Sequence, residues 1–170
     1  MSLFSKSFFV AIVCLGLLSA CGFKPMYGAP SASGVAPSAG VSVETASPDR
    51  RISQQFKIDL EDKLNPNGAV PKNAQYKLVA SIKSSTSAIG VARDGTISRY
   101  NVYLDSDYTL FRTGEEKPVA TGKLRHVSSY NNRANQYYST FVSEQDALKR
   151  GVTEMAELFK QRLSPQLATR

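Results

Sequence analysis

An apolar run of eleven residues, Phe8 to Leu18, leads directly into Leu18-Ser19-Ala20-Cys21, and this layout takes the N-terminus out of the fold. Lys6 stands before the run as a positive flank. The run falls short of the roughly 20 apolar residues that a spanning helix needs, and its flanks are those of a secretory signal. Ser19 and Ala20 are small enough for a peptidase groove that accepts an extended segment of little bulk. The Cys21 thiol can be thioether-linked to a diacylglycerol before cleavage. The expectation is therefore a lipoprotein signal over 1–20 with Cys21 lipidated. The alternative is an ordinary secretory signal that ends near a cysteine.

Cleavage before Cys21 leaves 150 residues, a length that suits one domain with its own core. Lys6 leaves with the signal, so 20 basic residues face 14 acidic ones. Cys14 leaves as well, and Cys21 carries lipid. No cysteine then remains for a disulfide, a metal site or a nucleophile, and packing alone must hold the domain. Each buried lipid methylene contributes about 0.8 kcal/mol, so several acyl chains on one cysteine anchor stably. Gly22 stands where an aspartate would favour inner-membrane retention, which points to the periplasmic face of the outer membrane.

Residues 21–40 read as the lipidated start and a tether. Gly28 to Gly40 is rich in Gly, Ala, Pro and Ser and carries no charge, and it spans several nanometres when extended. The folded domain is expected over 41–164, with 165–170 as a tail. Val41 to Thr45 alternates as a short strand. Ser47-Pro48-Asp49 reads as a helix start, with a cap, a proline at the first helical position and an acid near the dipole. Ile52, Phe56, Leu60 and Leu64 then form one stripe, and Asn65-Pro66-Asn67-Gly68 stops the helix.

Three strand-like runs follow. The first alternates through Tyr76, Leu78, Ala80 and Ile82 and fades between Ser84 and Ser87. Asp94-Gly95 is a hairpin signal. Thr96 to Phe111 carries Tyr100, Val102, Leu104, Tyr108 and Leu110 on one face. Val119 to Tyr130 alternates Ala120, Leu124 and Tyr130 with Lys123 and Arg125. Asn131 to Ser139 reads as a polar loop with two tyrosines. Phe141 to Leu163 is a second amphipathic helix, with Leu148, Val152, Met155, Phe159 and Leu163 on its apolar face and Pro165 at its end. The order β-α-β-β-β-α predicts an α+β fold. Two helices pack on one face of a four-stranded mixed or antiparallel sheet, and a polar, tyrosine-bearing face stays open.

Enzyme chemistry is poorly supplied. His126 is the sole histidine, sits in a strand run, and has no G-x-S-x-G elbow to serve. A hydrolase built on it is the remotest reading. Asp105 and Asp107 share a strand face but read as solvated carboxylates, and no zinc cluster or phosphate loop is present. No metal, cofactor or nucleic acid is expected. Positive charge is the stronger clue. Lys77, Lys83, Arg99, Lys123 and Arg125 fall at the less apolar strand positions, and Arg93 lies at the hairpin tip. Clustered cations attract phosphates, which arginine grips with two bonds at once; the alternative is a merely solvated face. In a periplasm those phosphates belong to lipid head groups and lipopolysaccharide. The tip from Ser84 to Thr96 is small and polar, able to enter a partner's cavity at little desolvation cost or to stand as a plain loop.

At Cys21-Gly22-Phe23-Lys24-Pro25-Met26-Tyr27-Gly28 the chain resembles the lipopolysaccharide-assembly lipoproteins of the LptE family, of alphaproteobacterial type. The Arg50-Arg51 helix, the long strands around Asp94-Gly95 and Ser129-Tyr130-Asn131 before a final helix agree in order and spacing. The resemblance implies two helices on a four-stranded sheet and no catalysis. It implies a plug inside the LptD β-barrel that assists barrel assembly and lipopolysaccharide delivery to the outer leaflet. By position, Gly90, Val91, Ala92, Arg93, Asp94, Gly95 and Thr96 would form the barrel-contact tip. Arg93, Arg99, Lys123 and Arg125 would bind lipopolysaccharide. The competing expectation is an outer-membrane lipoprotein that binds phospholipid or envelope polymer without a barrel.

Overall fold

The computed structural model describes residues 40–65, 70–91, 93, 95, 97–133 and 135–168. The signal, Cys21 and the tether up to residue 39 lie outside the described residues. The elements are β1 (Val41–Ala46), α1 (Arg50–Leu64), β2 (Tyr76–Val91), β3 (Ile97–Arg112), β4 (Pro118–Asn131) and α2 (Tyr137–Ala168). The four strands form one sheet in the order β1-β2-β3-β4. β1 runs parallel to β2, and the other pairs are antiparallel. This is the expected α+β arrangement with a mixed sheet.

The alternation legible in the strands decides which face is buried. Val41 and Val43, then Leu78, Ala80 and Ile82, then Val102, Leu104, Tyr108 and Leu110 all point to the helices and are buried. The α1 stripe Ile52, Phe56, Leu60 and Leu64 meets Val152, Met155, Phe159 and Leu163 of α2 over that face. Phe159 lies edge-on to Phe56 at 5.5 Å and to Tyr108 at 5.2 Å. Such aromatic pairs contribute about 0.5–1.5 kcal/mol beyond the area they bury. Gly151 lets α2 approach the sheet, since a Cβ there would lie 2.7 Å from Leu104 Cδ1.

Asn65 ties the edge of the sheet to the end of α1. Its side chain accepts from Val41 N at 2.9 Å and donates to Val41 O at 3.1 Å. It also donates to Glu61 O at 2.9 Å. One amide thus satisfies the outward N–H and C=O of Val41, which would otherwise be buried without partners, and adds a second donor to the Glu61 carbonyl that already accepts from Asn65 N.

Four boundaries differ from the sequence reading. α1 starts at Arg50, capped by Asp49, whose carboxylate accepts from Arg51 N at 2.8 Å and Ile52 N at 3.4 Å. Ser47 and Pro48 precede it, and the Ser47 hydroxyl accepts from Asp49 N instead. β2 does not fade at Ser84 but runs unbroken to Val91. Its outer residues, Lys83 to Ile89, are exposed on both faces, so no burial periodicity marks them. α2 starts at Tyr137, with Thr140 N donating to Gln136 O at 3.0 Å, and passes through Pro165 to Ala168. Buried Leu167 holds that last turn, and the Ser164 hydroxyl donates to Lys160 O. Residues 165–168 therefore belong to the helix, not to a tail.

Two stability outcomes follow. Asn65→Ala is expected to lower unfolding free energy by about 1–3 kcal/mol in a denaturant titration, because it strands the buried groups of Val41. Gly151→Leu is expected to cost about 1–3 kcal/mol by overpacking against Leu104. A melting temperature equal to the parent's would show that α2 does not press on β3 there.

Candidate functional site

The five strand cations named from the sequence do share the sheet face away from the helices, since each occupies an odd position in register with the others. Carboxylates accompany them. Lys77 Nζ lies 2.8 Å from Glu44 and Lys123 Nζ 3.0 Å from Asp107. Arg125 grips Asp105 twice, at 2.6 Å through Nε and 3.2 Å through Nη2, and its guanidinium sits 5.9 Å from the Tyr103 ring centre. The hydrogen bonds that Arg125 donates to Asp105 raise the arginine's pKa above its ordinary value. Lys83 and Arg99 have no ion pair among the described residues. Exposed pairs of this kind contribute little stability, about 0–1 kcal/mol each. Their effect is electrostatic: they convert most of the face into alternating charge. Asp105 and Asp107 are occupied by these cations, and among the described residues no cluster of His, Cys, Asp and Glu is placed to hold a metal.

Arg99 and Arg133, without an ion pair among the described residues, lie at the far end of the sheet. β4 ends at Asn131, opposite Arg99. The following turn is clamped to the hairpin, with Asn132 N donating to Ser98 O at 2.9 Å and Asn132 Nδ2 to Ile97 O at 2.8 Å. Asn135 turns the chain with φ +62°. Thr140 Oγ1 donates to Asn132 Oδ1 at 3.1 Å, which docks the first turn of α2. Beneath it Tyr100 and Tyr130 stack at 5.3 Å, and Val102, Tyr130 and Ala147 form a second small core. Burial raises the Tyr130 pKa above its ordinary value.

This construction leaves a polar groove of about 350 Å³ between the end of β4 and α2. Ser129, Asn131, Arg133, Ser139, Ser143 and Arg150 line it, with Asp146 paired to Arg150. From the open face of the sheet, Arg99 Nη2 donates to the Ser129 hydroxyl at 2.9 Å. Two guanidinium groups, Arg133 and Arg150, with serines and one carboxylate between them, offer a phosphate charge-assisted bonds to several of its oxygens. Of the sequence candidates none lines this groove: Arg99 meets it only through its bond to Ser129, and Lys123 and Arg125 lie farther along the open face. Arg93 is exposed in the hairpin tip. Gly95 has φ +83°, as the hairpin signal requires. Ala92, Asp94 and Thr96 lie outside the described residues.

Sequence reading missed Arg133 and Arg150, which come from a turn and a helix and share no local pattern. It also took Tyr137 to Ser139 for loop. In the helix, Tyr137, Tyr138, Phe141 and Val142 form an apolar stripe, exposed by 86, 82, 55 and 46%. Their i, i+4 spacing was the available signal. His126 is packed on the helix side, opposite Leu104, with Glu154 3.5 Å from Nε2. Among the described residues no helix is long and apolar enough to cross a membrane.

Comparison with known proteins agrees with this architecture. The family model for LptE, described as Lipopolysaccharide-assembly, matches residues 39–163. A lipoprotein crystal structure from Caulobacter crescentus CB15 is similar at 25% identity and TM-score 0.56, over 75% of this chain and 90% of that one. The rare lipoprotein B of Shewanella oneidensis shares the fold at 10% identity and TM-score 0.54, over 73% and 94% of the two chains. A minor lipoprotein of Acinetobacter baumannii does so at 13% identity and TM-score 0.54, over 75% and 92%. No curated protein matches the sequence. With its helices on one face of a β1-β2-β3-β4 sheet and a family match across nearly the whole folded domain, this chain belongs to the LptE family of lipopolysaccharide-assembly proteins.

Proposed function

We propose that this chain is a non-enzymatic lipoprotein, anchored through Cys21 at the periplasmic face of the outer membrane, and that it partners an LptD-type β-barrel. In that role it assists assembly of the barrel and hands lipopolysaccharide toward the outer leaflet. The observation that carries the ligand part is the groove at the far end of the sheet, where Arg133 and Arg150 stand with Ser129, Ser139 and Ser143 and Arg99 bonds Ser129. Lipopolysaccharide molecules are cross-bridged by divalent cations between their phosphates. Arginine forks that replace those cations would free single molecules from the aggregate. Lys123 and Arg125 remain candidates along the same path, but each must first leave Asp107 or Asp105 to take a phosphate.

The barrel part is supported by the family match and by the shape of the hairpin, whose tip around Arg93 and Gly95 carries β2 and β3 beyond the helix-covered core. Small residues near that tip keep the cost of entering a lumen low.

Removing Arg99 and Arg133 together, as Arg99→Ala with Arg133→Ala, is expected to weaken lipopolysaccharide binding about tenfold or more, from the loss of charge-assisted bonds. Lys123→Ala with Arg125→Ala is expected to have a smaller effect. The reverse ranking in a direct binding assay would move the ligand onto the open face. A mild-detergent pull-down of the lipidated chain from its own envelope is expected to bring down one large β-barrel in near one-to-one ratio. Recovery of phospholipid or envelope polymer with no barrel would defeat the partner assignment.

A further inference from the structure

β2 is flanked on both sides for only part of its length. β3 pairs with it from Tyr76 to Val91, whereas β1 pairs only from Tyr76 to Ser81. Beyond Ser81 the β1 side of β2 has no strand among the described residues. Hydrogen-bond parity identifies the groups left there. Tyr76 N donates to Gly40 O at 3.1 Å, so the even-numbered residues of β2 direct N–H and C=O toward the β1 side. Past the end of β1, Ser84, Thr86 and Ala88 therefore turn three donors and three acceptors outward, at alternate positions about 6.8 Å apart.

Natural sheets protect such an edge with charge, proline, a covering loop or very short length. Here Ser84 to Val91 contains no charged residue and no proline, and Ser84 to Ile89 is exposed throughout. The side chains flanking the edge are small, so a second backbone can approach without collision on either face. The bulge between Ala88 and Gly90 sets the outer limit, and the end of β1 sets the inner one.

We infer that the Ser84–Ala88 edge of β2 accepts an extended strand from a protein partner, which continues the β1 column outward toward the hairpin tip. The occupant is specified by the edge itself. Three donor–acceptor sets spaced along one line match the backbone of an extended peptide, whereas lipids and glycans carry no such repeat. Continuity with the β1–β2 ladder gives the incoming strand a sheet that is already twisted and in place. Small hydroxyl side chains at Ser84, Ser85, Thr86 and Ser87 ask for an uncharged strand and impose little further sequence demand. The inference rests on the chain having a protein partner, as proposed above, but not on that partner being a barrel.

Amide hydrogen exchange, resolved by residue with mass spectrometry, tests it on the full chain in intact envelope and on the purified chain in detergent. In the purified chain the amides of Ser85 and Ser87, bonded to β3, are expected to be protected, and those of Ser84, Thr86 and Ala88 to exchange freely. In the envelope the latter three are expected to slow about tenfold or more. Thr86→Pro removes an outward N–H while sparing the β3 ladder. It is expected to restore fast exchange at Ser84 and Ala88 with Ser85 and Ser87 still protected, and Thr86→Ala is expected to leave the slowing intact. Equal exchange in envelope and detergent overturns the inference. So does slowing that appears in the purified chain as its concentration rises, which would make the occupant a second copy. A barrel that co-purifies while these amides stay fast defeats the edge alone. Slowed amides without any barrel defeat the barrel reading alone.

Discussion

The unequal lengths of the strands govern this molecule. β2 and β3 pair over sixteen residues each, but β1 has six and α1 fifteen. Near Tyr76 the sheet therefore has a full set of neighbours and two helices over it, and there the large apolar side chains are buried. Farther out, β2 has lost β1 and α1, and only α2 and β4 continue beside β3. Apolar burial is proportional to area removed from water, so the outer half of β2 gains almost none of it. Its order comes from the ladder to β3 rather than from a core.

That asymmetry also distributes the charge. Over the helix-covered half, Glu44, Asp105 and Asp107 stand beside the cations of the open face and offset most of them. At the far end the arginines from β3, the turn and α2 gather where β4 stops, with Asp146 as the carboxylate among them. A chain with a modest net positive charge thus concentrates its usable cations at one end. Exposed aromatic residues at the start of α2 and a strand edge left bare among the described residues lie at that same end.

Much of the fold was legible because it depends on short-range periodicity. The four-residue spacing of Ile52, Phe56, Leu60 and Leu64 placed a helix face, and the alternation through Val102, Leu104, Tyr108 and Leu110 placed a strand face, both as found. Legibility failed where no burial contrast exists. Ser84 to Ile89 reads as loop because both faces are wet. Tyr137 and Tyr138 read as loop because their stripe faces outward. Pro165 reads as a stop because its local cost is certain, while the compensation by buried Leu167 is a tertiary contact. Asp49 displaced Ser47 as the cap of α1 because its carboxylate reaches two amides at once.

The sequence by itself determined the order of the elements, the buried face of each, the family and the hairpin turn at Gly95, since periodicity and glycine freedom act between near neighbours. Only the tertiary structure decided which cations meet carboxylates, that Arg133 and Arg150 share one groove, and that β2 outruns β1. Each of these depends on the register between strands or on the place where a distant element ends. Such non-local pairings are set by how the whole sheet closes its hydrogen bonds and covers its apolar face.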